Sequence, residues 1–248
     1  MTNYIQRIAD LRNMSKANII FILIYLLPCT VSKAQMPISE TDAKKLIYKK
    51  VEKYLKKKEV RDNFHYFSEI KPSINDTNDL SGYCFHCGTY TVNAPIEQVW
   101  NTCMNTSPEK LWNGKMLRLS CIYSNHSDKI YYSGNQQFEA LELDQIYFIN
   151  LRMMRLFNIA AALITTKIDD DEKCMEFTYI EGNKSTGKQT VRLIETDDGE
   201  TKIVHETFYK SGSKLRDKRF YPRIHQIAIT DLHEKIYVYS TEKEVVNN

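Results

Sequence analysis

The sequence predicts an α+β fold: a curved antiparallel sheet of about seven strands wrapped around one long C-terminal helix, with two short helices after strand 1 and an extra N-terminal helix. Three observations carry this. After Gly114 the chain alternates strand-like runs with turn signals such as Ser-Asn-His-Ser-Asp, Asp-Asp-Asp-Glu and Asp-Asp-Gly, too closely spaced for crossover helices. Tyr221-Pro222 then opens an apolar stripe at helical spacing: Ile224, Ile227, Ala228, Leu232, Ile236 and Tyr239. Before the strands, Asn93-Ala-Pro95 and Ser107-Pro108 both read as helix starts.

Taken in order, the first segment is a targeting signal. Basic Arg7, Arg12 and Lys16 precede the nine-residue apolar run Ile19–Leu27, and Ser32-Lys33-Ala34 supplies small residues for cleavage after Ala34. The apolar run is shorter than the roughly 20 residues a membrane span needs. The expectation is a secreted or periplasmic protein, with membrane contact only if the N-terminal segment is retained. Residues 1–34 hold four basic side chains (Arg7, Arg12, Lys16, Lys33) and one acid (Asp10), so the chain's 34 basic and 31 acidic residues fall to 30 of each on cleavage. That balance removes the electrostatic case for a nucleic-acid partner.

Ser39-Glu-Thr-Asp42 resembles a capping box, and Leu46, Ile47, Val51, Tyr54 and Leu55 recur at helical spacing. A helix over about 40–58 is expected, with the lysines of Lys49–Lys58 as its solvated face. The polar stretch Lys71–Leu80 links it to the main domain, giving segments 1–34, 35–80, 81–241 and a tail at 242–248. The first strand is expected from Gly88. Ile96, Val99, Trp100 and Cys103 form the stripe of one short helix, and Leu111-Trp112 ends another before Asn113-Gly114. Strands follow over 115–124, 129–140, 145–154, 160–168, 174–181, 189–195 and 201–210.

The motif Tyr90-Thr-Val-Asn-Ala-Pro-Ile-Glu-Gln-Val-Trp100, with Ala94, Pro95, Ile96, Glu97, Val99 and Trp100 at the fitting positions, resembles the opening of the START-like, helix-grip (SRPBCC) superfamily. That superfamily includes polyketide cyclase/dehydrase-like and lipid-transfer proteins. Gly199-Glu-Thr201-Lys-Ile-Val is similar to the start of its last strand. The resemblance covers roughly residues 88–240 and implies a cavity between sheet and long helix. Ligand contacts would then come from inward strand positions and the inner helix face.

Alternation says which positions those are. Lys202, Val204, Glu206, Phe208 and Lys210 share one face of their strand, and the charges suit solvent. His205, Thr207 and Tyr209 therefore point inward with Ile203, either as an internally satisfied polar ladder or as a wall facing a ligand. Met175, Phe177, Tyr179 and Glu181 share a face, and Gly182–Gly187 has the composition of a cavity rim. Arg223 and His225 lie in the first turn of the long helix, and His225, Ile229, Leu232 and His233 can share a side. His205, Tyr209, Glu181 and His225 are the candidate proton-transfer groups, the last if it meets His205 or Tyr209.

Cys84-Phe-His-Cys87 is the most conspicuous motif. It lacks the second ligand pair of a structural zinc site, and the glycine and strand after it deny the cysteine a helix N-terminus. A local disulfide or two inert thiols before the first strand are expected, and no metal or cofactor. Three readings of function remain. The leading one is a carrier of a small hydrophobic or amphipathic molecule. The others are a cofactor-independent cyclase or dehydratase, and a partner-binding protein with a collapsed cavity.

Overall fold

A computed structural model of the chain describes residues 35–75, 79–134, 140–153 and 157–242. The targeting segment expected over 1–34 and all but the first residue of the tail lie outside the described residues.

The strands are β1 (Cys84–Val92), β2 (Leu117–Ser124), β3 (Lys129–Tyr132), β4 (Ile146–Met153), β5 (Phe157–Asp169), β6 (Cys174–Tyr179), β7 (Ser185–Glu195) and β8 (Thr201–Ser211). They form one antiparallel sheet of eight strands in the order β1-β8-β7-β6-β5-β4-β2-β3. Register shifts between Leu119 and Cys121 in β2 and between Thr165 and Lys167 in β5 are the places where an extra residue bends the strand. Two short helices, α2 (Ile96–Asn105) and α3 (Pro108–Leu111), follow β1, after α1 (Lys49–Val60) near the N-terminus. The long helix α4 (Tyr221–Thr241) packs on one face of the sheet, and the whole is a helix-grip fold.

That face and α4 share the larger core. Val99, Trp100 and Cys103 of α2 pack with Trp112, with Tyr147, Leu163 and Phe177 from the strands, and with Leu232 and Ile236 of α4. Asp231 of α4 accepts hydrogen bonds from the backbone N–H groups of Met116 and Leu117, tying the helix to the start of β2. Gly114 makes that contact possible, because a Cβ there would lie 2.5 Å from Asp231.

A second core lies on the opposite face. Val51 and Leu55 of α1, with Phe67 and Ile70, pack on Cys121, Tyr123, Phe148, Ala162 and Ile164. Each large buried side chain contributes about 1.5–3 kcal/mol. Two covered faces explain why residues 146–149 and 160–164 are apolar without alternation, whereas β8, covered on one face, alternates as expected.

Several boundaries differ from expectation. Residues 39–48 are not helical: Ile38–Glu40 is a single 3-10 turn and α1 starts only at Lys49. Tertiary contacts hold this stretch on another path, since Ile38 N donates to His65 O and Asp42 N to the Tyr132 hydroxyl. Ile47 and Ile227, expected in apolar stripes, are more than half exposed. Asn93 does not cap α2, which begins after Pro95 without a side-chain cap.

β1 begins four residues earlier than expected, so Cys84 and Cys87 lie inside it, paired with Tyr209 and Glu206 of β8. Residues three apart in a strand sit about 10 Å apart on opposite faces, beyond the roughly 7 Å a disulfide can span. Both cysteines are free, so of the two expected alternatives the local disulfide is not formed and two thiols remain. Dithiothreitol should therefore leave the thermal unfolding midpoint unchanged, and thiol titration without reductant should find Cys87 reactive. A midpoint lowered by reductant would contradict this.

Candidate functional site

A cavity of about 540 Å³ lies between α4 and the sheet. Trp112, Leu117, Ile149, Leu163, Phe177 and Leu232 give it an apolar side. Gln189 of β7, His205 of β8, and Tyr221 and His225 of α4 give it a polar one. A much smaller void of about 20 Å³ lies beyond Trp112, Phe177 and Leu232, which line both. The cavity also reaches the surface, since exposed Lys50, Lys53 and Lys184 are among its lining residues.

The polar side is organised by one amide. Gln189 Oε1 lies 3.0 Å from His205 Nε2 and 3.2 Å from His225 Nε2. An amide oxygen only accepts, so both imidazoles donate through Nε2–H, and as neutral rings both must accept at Nδ1. His233 Nε2, 2.9 Å from His205 Nδ1, is therefore a donor, and His86 Nδ1 donates across 3.3 Å to His225 Nδ1. Four imidazoles form one chain, His86–His225–Gln189–His205–His233, with a single consistent set of tautomers. The Thr207 hydroxyl lies 3.3 Å from His225 Nε2 as a further partner. His233 Nδ1, left as a bare lone pair, has no partner among the described residues.

Burial sets the charge of this chain. It pushes His205 and His225 well below the ordinary imidazole range and His233 down to about 3, and the neighbouring imidazoles act in the same direction. His86 is lowered more modestly, again by burial. A proton added to His205 Nδ1 would face the N–H of His233, whose tautomer could switch only by aiming a buried N–H at nothing. The polar wall is thus neutral at physiological pH. Tyr179 and Tyr221 share a hydroxyl–hydroxyl bond, and burial drives Tyr179 up to about 12 and Tyr221 well above the ordinary phenol range, so both phenols keep their protons.

The expected site residues divide into three groups. His205, His225, Phe177 and Tyr179 line the cavity as expected. Thr207 and Tyr209 point inward but do not line it: Thr207 lies behind His225, and Tyr209 donates to Asp217 O at 2.9 Å while stacking on Tyr221 at 3.7 Å. Glu181 and Arg223 are exposed and outside the lining. β6 ends at Tyr179, and the turn at Gly182 (φ 68°) breaks the alternation that placed Glu181 inward.

His225 does meet His205, through Gln189, but the pair is not poised for proton transfer near neutrality. An imidazole whose conjugate acid forms only in strong acid is a weak base at pH 7. The two Nε2 atoms converge only on Gln189 Oε1, which already occupies that point. Each faces its neighbour, and no group of three His, Cys, Asp or Glu side chains among the described residues is arranged to hold a metal ion.

Sequence reasoning missed His86, Gln189, Tyr221 and the basic rim of Lys50, Lys53, Lys57, Lys184 and Arg216. The signal for His86 was present. It lies between the two conspicuous cysteines, and register places it opposite Thr207.

No protein-family model and no curated protein matches the chain. Similar solved structures include a point mutant of norcoclaurine synthase from Thalictrum flavum in complex with a transition state analogue, 14% identical over 64% of this chain and 95% of that one, with TM-score 0.47. A protein from Thermus thermophilus is 10% identical over 63% and 97%, with TM-score 0.47. A conserved protein from Geobacillus kaustophilus is 16% identical over 63% and 95%, with TM-score 0.44.

Proposed function

We propose that the protein is an exported START-like carrier, binding one small hydrophobic or amphipathic molecule between α4 and the sheet. The observation that carries this reading is the cavity of about 540 Å³, within the roughly 300–1,000 Å³ typical of small-molecule sites and apolar along one side. A volume of that size weighs against a collapsed interior. The neutral histidine chain weighs against the cyclase or dehydratase reading, because such a reaction needs a group that exchanges protons near pH 7. The same four imidazoles suit a carrier, since as neutral rings they add no charge to the interior. Export rests on the basic, apolar and small-residue pattern of residues 1–34.

One experiment tests both parts. The full-length gene is expressed in a secretion-competent host, and the exported protein is purified and examined by native mass spectrometry. We expect a chain beginning at Gln35 together with one bound compound, released on denaturation and lipid-like or aromatic. Repeatedly empty protein would count against the carrier. An intact residue 1 would count against cleavage.

A further inference from the structure

We infer that the ligand is an anionic amphiphile, held with its carboxylate or phosphate at a basic mouth and its apolar body inside; this rests on the carrier reading above. The mouth is a notch in the sheet. β5 pairs with β4 from Phe157 to Ile164 but with β6 only from Leu163 onward, and β7 pairs with β6 only from Lys188 onward. Among the described residues no strand fills the space between the first half of β5 and the first residues of β7. The cavity reaches that space, for Asn158, Ile159, Ala160 and Ser185 line it.

Five cations line the cavity with them. Lys50, Lys53 and Lys57 lie three and four residues apart and so project from one face of α1. Lys184 comes from the turn after β6, and Arg216 from the segment before α4. Arg216 is fixed in place, its Nε donating to Ser211 Oγ at 3.0 Å and its Nη2 to Lys184 O.

No aspartate or glutamate is among the residues lining the cavity. Among the described residues none of the five cations has a carboxylate within 4 Å. Of the acids on and beside α1, Glu52 pairs with Lys56 and Asp62 with Lys58. Uncompensated positive charge at one end, beside apolar Ile149, Leu163 and Trp112 inside, is complementary to a molecule with one anionic end. The neutral polar wall confines the positive potential to the rim. The headgroup therefore stays at the mouth while the body enters.

The test is titration calorimetry of delipidated protein with four probes sharing one alkyl chain: dodecanoate, dodecyl phosphate, dodecanol and dodecyltrimethylammonium. At about 50 mM salt we expect both anions to bind at least about tenfold tighter than dodecanol, and the cation more weakly than either, with the gap shrinking at about 0.5 M salt. The triple variant Lys53→Gln, Lys57→Gln, Arg216→Gln should bind the anions no tighter than dodecanol. Its unfolding midpoint checks that the fold is kept. Equal affinity for dodecanol and dodecanoate, or a preference that survives the triple variant, overturns this inference and leaves the carrier reading standing. Binding of none of the four overturns the carrier reading and this inference with it.

Discussion

Replacing Gln189 by leucine should cost about 2–4 kcal/mol of folding stability, a large effect for a side chain that is not part of the apolar core. The substitution nearly preserves volume but removes the oxygen on which the tautomers of the histidine chain depend. His205 Nε2–H would then be a buried donor with no acceptor, at about 1–3 kcal/mol for such a group. His225 would fall back on Thr207, already 3.3 Å away, which keeps the total below twice that cost. Urea unfolding of the variant and the parent measures the difference. Nitrogen NMR of the imidazoles adds an independent reading, expecting Nε2–H on both His205 and His225 in the parent. A loss under about 0.5 kcal/mol, or an Nδ1–H tautomer at either ring, would sink the assignment.

Acid should unfold the protein well above the range where carboxylates alone would do so. In the unfolded chain each histidine takes up a proton near its ordinary value of about 6.5. In the folded chain His205, His225 and His233 resist protonation because they are buried beside one another, His233 down to about 3. The unfolded state therefore binds more protons below about pH 6.5, and stability falls as pH falls. Well below that value each histidine removes about 1.4 kcal/mol per pH unit, so three together remove about 4.

Set against a typical 5–15 kcal/mol, that slope exhausts the stability within a few pH units. Urea midpoints at about pH 7, 6 and 5 should drop with increasing steepness, and His233→Gln should flatten the slope by about a third. Midpoints that do not move over that range would mean that the imidazoles are not buried as described.

The alternation of β8 was legible because its outer face carries Lys202, Glu206 and Lys210, so His205 could be placed inward from the pattern of charge alone. Alternation yields a face but not a depth. Tyr209 is correctly inward and still walled off, because Tyr221 from a different element stacks over it. Gln189 and His86 lie on neighbouring strands, and their roles appear only once sheet register brings them beside α4. Lys50, Lys53 and Lys56 of α1 are exposed as expected of a solvated face, whereas Lys58, expected with them, is buried. What that face overlooks depends on where β6 stops, which nothing near residues 49–58 encodes. The four residues of β1 before Gly88 were hidden because Cys-Phe-His-Cys invites a reading by chemistry rather than by pairing.

The short β6 also gives the N-terminal segment a structural task. Glu181 N donates to Lys71 O and Ser73 N to Tyr179 O, while Pro72 pairs with Ile180, so residues 71–73 extend the ladder where the strand itself ends. Lys58, buried in α1, donates to Glu181 O, and Tyr54 donates to Asn183. Gly182 permits this close packing, for a Cβ there would sit 2.6 Å from Lys58 Nζ. The doorway to the cavity is thus framed by a piece of chain more than a hundred residues upstream of the strands it borders. A fragment started at Ser81 keeps every strand and the long helix yet loses that frame, so the useful boundary for engineering lies at Gln35, not at the first strand.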